Sequence, residues 1–343
     1  MKKKSRSRVG MSVLCVLLGL VLAVLLGGTI YANHLMNLMN RVEIGSEETL
    51  SQDQVEQIMQ EETVAPDETV APVMDEEDVD WGEDQGKVIE STDNIVNILL
   101  IGQDAREGWG RSRSDSMILV TFNKEKKTIT LTSFLRDLYV QIPGYQDTKM
   151  NAAYPIGGME LLNQTMELNF GVKVDGNVEV DFSHFADVID LLGGVDIELR
   201  ADEATYINMT ADTYGLTAGM QHLNGSQALQ YSRIRHLDID SDFSRTGRQR
   251  KVINALIEKF RDTKLTTLLG LLDDLLPMIT TDMTNSEIIG YATDLFPMLT
   301  DCTIISQRIP ADGAYELATI RGMSCVVADM DAARKLLIQT MEE

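Results

Sequence analysis

Cysteine is nearly absent from this chain, with only Cys15, Cys302 and Cys325 in 343 residues. No CxxC pair occurs and the four histidines (His34, His184, His222, His236) are scattered, so the ligand spacing of a zinc site is missing. Cys15 lies in an apolar run and reads as a small hydrophobe. Cys302 and Cys325 are placed to pair if this part of the chain lies outside the cell, although two cysteines are thin support for a disulfide. Basic charge is also short. Thirty Lys and Arg against 53 Asp and Glu leave a formal charge of -23. The cation excess that binds a phosphate backbone is therefore missing, and no nucleic acid is expected as partner. Aromatics make up only 6%, yet the 44% hydrophobic content suffices for one large domain or two ordinary ones.

The charge is unevenly spread. Lys2, Lys3, Lys4, Arg6 and Arg8 give +5, residues 41–94 hold 18 acidic and 2 basic residues, and -12 remains for the rest. Residues 9–32 carry no charge and are long enough to cross a ~30 Å hydrocarbon core as a helix. With the positive charges preceding this run, residues 1–8 are expected in the cytoplasm and the bulk of the chain outside. A cleaved signal peptide ending near Ala32 is the alternative, and the length of the run favours a signal anchor in the cytoplasmic membrane. Residues 33–93 have few large apolar side chains, an acidic run (Asp75, Glu76, Glu77, Asp78, Asp80) and the near-repeat EETVAP, DETVAP. Such a composition predicts a disordered, self-repelling acidic linker, with a transient helix at 47–61.

From residue 94 onward, short β-rich runs alternate with amphipathic stretches, which predicts a single α/β domain over 94–343. Strands are expected at 95–101, 117–123, 128–133, 195–199, 304–308 and 324–327. The polar turn at 123–127 makes the second and third an antiparallel hairpin. Helices are expected at 158–169, 182–192, 226–234, 245–261, 266–275, 286–299 and 330–341.

Charged residues cluster where these strands end. Asp104 follows the first strand and Asp115 precedes the next, so the two carboxylates can meet across one loop as a hard oxygen site suited to Mg²⁺, or serve as strand-end caps and loop ion pairs. Arg136 and Asp137 stand where the third strand runs out, with Lys149 beyond. Arg233, Arg235, Arg245, Arg248 and Arg250 concentrate in a region acidic overall. Guanidinium forks hold phosphate oxygens bidentately, and several together can grip a pyrophosphate. Surface arginines on helix ends explain any one of them but not the whole group.

The ordered segments NILLIGQDAR, RSDSMILVTFN, SFLRDLYVQIPG, KMNAAYPIGG, VEVDFSHFADVIDLLGGVDI, LNGSQALQYSRIRH and DFSRTGRQR resemble the LytR-CpsA-Psr domain over residues 94–343. The resemblance implies a three-layer α/β/α sandwich around a mixed sheet, with a hydrophobic tunnel for a polyprenyl chain. It further implies transfer of a glycan-phosphate chain, such as teichoic acid or capsule, from a polyprenyl pyrophosphate to peptidoglycan, at the C6 hydroxyl of N-acetylmuramic acid. Carried onto this sequence, it puts Mg²⁺ (or Mn²⁺) on Asp104 and Asp115. Arg113, Arg136, Arg233, Arg235, Asp137 and Asp242 become catalytic, and Arg245, Arg248, Gln249 and Lys149 bind substrate. Leu135 stands where the family more usually has Pro, and Arg250 where it often has a second Gln. A non-catalytic lipid-precursor-binding regulator and a pyrophosphatase are the rival readings, separated by turnover and by acceptor dependence.

Overall fold

A computed structural model describes residues 31, 33–43, 45, 50–60, 71–90, 92–103, 111–211, 213–238, 241–299 and 301–342. The predicted membrane segment at 9–32 lies almost wholly outside them, and no helix among the described residues is long and apolar enough to cross a membrane.

The strands, in chain order, are β1 (Asn40–Arg41), β2 (Ile95–Gln103), β3 (Ser114–Asn123), β4 (Thr128–Phe134), β5 (Tyr139–Val140), β6 (Thr148–Lys149), β7 (Gly176–Asp181), β8 (Val195–Leu199), β9 (Gly219–Leu223), β10 (Thr280–Thr281), β11 (Thr303–Ile309), β12 (Tyr315–Ile320) and β13 (Met323–Ala328). The helices are α1 (Gln52–Gln60), α2 (Ala153–Phe170), α3 (Phe182–Leu191), α4 (Ala201–Thr210), α5 (Gly225–Arg233), α6 (Ser241–Asp262), α7 (Leu265–Leu275), α8 (Asn285–Leu299) and α9 (Met330–Glu342).

Seven strands form the central sheet in the order β1-β10-β7-β2-β3-β4-β11. The pairs β2–β3 and β3–β4 are antiparallel, whereas β2–β7 and β4–β11 are parallel, so the sheet is mixed. That pairing brings the carboxyl ends of β2, β4, β7 and β11 to one edge, beside the start of β3. In α/β folds this edge is where ligand-binding loops gather. Period-two alternation sends Leu99, Ile101, Met117, Leu119 and Phe134 to one face, under α2 and α9. Ile118, Val120, Ile129 and Leu131 go to the other, where Ile253 and Ile257 of α6 and Met298 of α8 cover them. The expected α/β fold with a mixed central sheet is thus present, with helices on both faces. A further apolar cluster joins α3, α4, α5, α6 and the antiparallel β8–β9 pair through Ile189, Ile197, Ile207, Tyr231 and Val252. Gly225 is required where α5 meets α3, because a Cβ there would overlap the Ala186 carbonyl.

One expectation is corrected and one open question is answered. The described parts of 33–93 are not a free tether. Leu35 and Met39 are buried beside Leu276, and β1 pairs with β10. Further on, Val73 bridges to Thr319, Val79 is buried beside Tyr139 and Ile320, and Trp81 stacks on Tyr139 with ring centroids 5.9 Å apart. Arg321 pairs with Glu76, and Arg334 donates to the Lys87 carbonyl at the carboxyl end of α2. A few spaced apolar and hydrogen-bonding anchors outweigh the acidic average that argued for disorder. The cysteines are also free: Cys325 is buried among Val79, Ile320 and Val327, while Cys302 packs near Met298 in a separate cluster.

Candidate active site

Seven of the charged residues singled out in the sequence converge at the strand-end edge. Arg136, in the loop leaving β4, donates from Nη1 to Asp115 Oδ1 at 2.9 Å, and its Nε lies 3.2 Å from Asp137 Oδ2 and 3.3 Å from Asp242 Oδ2. Lys149 Nζ meets Asp137 Oδ1 at 3.1 Å. From the α5–α6 side, Arg245 Nη2 reaches Asp242 Oδ2 at 3.0 Å and the Asp115 carbonyl at 3.4 Å. Arg235 Nη2 stands 3.7 Å from Asp115 Oδ1. Among the described residues, four cations thus share three carboxylates.

Local sequence explains the placement. Asn224 and Gln227 form a reciprocal capping box at 2.9 Å each, fixing the start of α5. The helix ends at Arg233, Ile234 turns extended, and Arg235 projects toward the strand tips. Asp242, in the first turn of α6, sets the opposite wall.

Burial and charge compete here. Burial alone would push the Asp137 carboxyl up, but Arg136, Lys149 and Arg245 outweigh it and hold it below the usual carboxylate range. Burial pushes the Arg245 guanidinium down to about 10, against the pull of Asp242. Burial acts on Arg136 in the same sense but is overcome by Asp137, Asp242 and Asp115, which lock its charge in place. A depressed carboxyl stabilises the fold above its unfolded pKa, and that contribution is lost as pH falls through the folded value. Asp137→Asn should therefore lower the thermal midpoint at pH 7 and cost progressively less as the pH drops below roughly 4. Melting curves of both proteins across that range check this.

An apolar hollow of about 600 Å³, its open mouth included, adjoins the cluster between the sheet and α3, α5 and α6. Leu100, Ile118, Val178, Val180, Phe182 and Ile253 line it. Gln249 and Ser232 supply polar groups to its lining. The Arg233 guanidinium lies 5.0 Å from the centroid of the Phe182 ring, which places a cation beside the hollow.

Of the other expected residues, Arg113 stands at this edge with a different partner, Arg248 sits apart, and one is outside the described residues. Arg113 donates to the Ile58 carbonyl of α1 at 2.6 Å, so the helix ahead of the domain reaches this edge too. Arg248 is buried away from the cluster, its Nε 2.8 Å from Glu203 Oε1 and its other nitrogens on Asp238 and the Ile234 carbonyl. The same Glu203 accepts from the Arg200 backbone at 2.9 Å to start α4, so Arg248 ties α4 to α6. Arg248→Ala should cost about 3–5 kcal/mol by stranding buried carboxylates, read as a fall in denaturation midpoint. Asp104 lies outside the described residues. Among the described residues no group of three or more His, Cys, Asp or Glu could hold a metal.

Sequence reasoning missed a buried relay behind the site. Gln103 Nε2 and Tyr154 Oη both donate to the Glu179 carboxylate, while Gln103 Oε1 accepts from Ser112 N at 3.1 Å. It ties α2 and β7 to both ends of the segment linking β2 to β3. Its one signal was alternation, which sets Asn177, Glu179 and Asp181 opposite Val178 and Val180.

Comparison with known proteins accords with this geometry. The chain is 35% identical over 229 residues to the polyisoprenyl-teichoic acid–peptidoglycan teichoic acid transferase TagT of Bacillus subtilis, covering 64% of this chain and 69% of that protein. It is 34% identical over 231 residues to the regulatory protein MsrR of Staphylococcus aureus, covering 65% and 67%. A solved structure of TagT with bound octaprenyl pyrophosphate lipid superposes with a TM-score of 0.58 at 27% identity, over 77% of this chain and 99% of that one. The model of the LytR_cpsA_psr family matches residues 52–339, and the chain belongs to that family.

Proposed function

We propose that this protein transfers a glycan-phosphate chain from a polyprenyl pyrophosphate carrier to a hydroxyl of peptidoglycan. The observation that carries the reading is the convergence of Arg136, Lys149, Arg235 and Arg245 beside an apolar hollow. A prenyl tail requires the second and a diphosphate the first. The ligands in the names of TagT and its lipid complex support it.

Phosphoryl transfer asks the protein mainly for alignment and charge neutralisation. The acceptor hydroxyl forms its O–P bond at the glycan-proximal phosphorus while the bond to the bridging oxygen breaks, and polyprenyl phosphate leaves with that oxygen. Arg136, Arg235 and Arg245 stabilise the charge that grows on the phosphoryl oxygens. Asp137, held below the usual carboxylate range, is a poor base and serves as counter-ion to Arg136 and Lys149. That leaves Asp242 to accept the hydroxyl proton.

A carboxylate beside a diphosphate is a hard-oxygen set that fits Mg²⁺ or Mn²⁺. Asp115, with Asp104, would hold the ion, which would add positive charge opposite the arginines. Residues 9–32 would cross the cytoplasmic membrane once and leave the domain outside.

The name of MsrR favours a second reading, a non-catalytic regulator that binds lipid precursors. Purified full-length protein with a lipid-pyrophosphate glycan and a peptidoglycan oligomer separates the two. A transferase releases polyprenyl phosphate only with acceptor, a pyrophosphatase releases it without, and a regulator releases none.

A further inference from the structure

Arginine is also gathered on the far side of Phe243, where the chemistry above makes no use of it. Arg308, near the carboxyl end of β11, lies with its guanidinium carbon 4.7 Å from the Phe243 ring centroid. Tyr315 stacks on the same ring with centroids 4.6 Å apart. Phe243 follows Asp242 directly on α6, so its ring links the turn that carries Asp242 to Arg308 of β11. Arg250 is seven residues beyond Phe243 on α6, two helical turns along the same face.

Arg250 lacks the carboxylate partner, among the described residues, that each arginine of the first cluster has. Its Nε and Nη1 are buried with no hydrogen-bond partner among the described residues. Burial, and after it the charge of Arg308, pushes its guanidinium down to about 10, with no carboxylate opposing either effect. Among the described residues Arg308 itself pairs only with Asp312, whose side chain is 93% exposed, and donates to the Pro310 carbonyl at 3.3 Å. Ser133, register partner of Arg308 on the adjacent parallel strand, has a buried hydroxyl that also lacks a partner. Two neighbouring cations and a hydroxyl, opposed only by the exposed Asp312 among the described residues, are incomplete as a structural unit, because a buried unpaired guanidinium is costly. An oxyanion would complete it.

We infer that Arg250 and Arg308, with the Ser133 hydroxyl, form a second anion site that takes a phosphate group borne on the glycan of the donor. The inference rests on the transferase reading. The chosen anion follows from position: the corner shares the strand-end edge with Arg136 but is set apart by Phe243, so it meets the glycan beyond the diphosphate.

The test begins with binding. Full-length protein is presaturated with geranylgeranyl pyrophosphate and titrated calorimetrically with glycerol 3-phosphate, and in a separate arm with inorganic phosphate. Wild type should take up one glycerol 3-phosphate, and Arg250→Gln, which keeps length and polarity, should take up none. Arg250→Lys, which keeps the charge but loses the fork, should bind more weakly than wild type. Tighter binding of inorganic phosphate than of the ester would overturn the assignment to a glycan group. So would uptake undiminished in Arg250→Gln, or no uptake by wild type, the result expected if Arg250 instead bonds to the unpaired Asn254 Oδ1 one turn along.

Turnover gives the second arm. Two donors are compared, alike except for one glycerol phosphate on the glycan. Wild type should show a KM lower on the order of tenfold for the phosphorylated donor, as expected for one charge-assisted hydrogen bond. Arg250→Gln should erase that preference and leave the plain donor unchanged. Equal losses on both donors would sink the inference. Failure of wild type to turn over either donor would count against the transferase reading instead, while the titration would still report on the anion site.

Discussion

Replacing Arg136 by alanine should reduce glycan transfer by roughly 100- to 1,000-fold, the cost of removing one preorganised charge donor from a transition state. The effect is expected to be this large because Arg136 holds Asp115, Asp137 and Asp242 at once, so three carboxylates are left facing an incoming diphosphate. Both charge neutralisation and the positions of its partners are lost together. Arg136→Lys retains the charge but cannot span three acids with one planar fork, and should fall between the two. Polyprenyl phosphate release, measured with peptidoglycan oligomer present, is the readout. Transfer within a factor of a few of wild type would remove Arg136 from the chemistry.

Filling the hollow should be as damaging by a different route. Val180→Trp places an indole where Leu100, Val178 and Phe182 now leave space. Each isoprenyl unit shut out forfeits about 4 kcal/mol of apolar burial, at roughly 0.8 kcal/mol per carbon, or on the order of 1,000-fold in affinity. Long-chain prenyl pyrophosphate should therefore bind far more weakly, while inorganic pyrophosphate, which needs only the arginines, should bind as before. Val180 is half-buried at the hollow's wall rather than locked in the core, so the thermal midpoint should change little. Equal losses for the two ligands would mean that the hollow does not house the tail.

Where one physical signal dominated, sequence and structure agree. The alternating VDIEL stretch is β8 over the expected residues, and the apolar run before Gly102 is β2, extended only by Gly102 and Gln103. The strands 176–181 and 315–320 escaped notice because Gly, Asn and acidic residues dilute GNVEVD and YELATI below the usual β signal. The unforeseen partners of Arg248 have the same root. Arg245 and Arg248 lie three apart on one helix, which suggested a shared target. The carboxylate that claims Arg248 belongs to Glu203, in a helix that sequence reading did not foresee. Convergence of Arg136, Asp115 and Asp242 was legible because each stands at a strand or helix end. Partnership between Gln103, Glu179 and Tyr154 was not, since it depends on β2 and β7 lying side by side.

The seat of residues 35–42 on the domain sets a height. Leu35 and Met39 are sunk beside Leu276, and the next two residues are hydrogen-bonded into the sheet edge. If residues 9–32 traverse a bilayer, only two residues separate that crossing from a rigid attachment point. The catalytic body would then ride directly on the lipid surface, with no leash on which to search. A donor anchored in the same leaflet would meet the hollow's entrance by lateral diffusion, and the acceptor strand would have to descend to it.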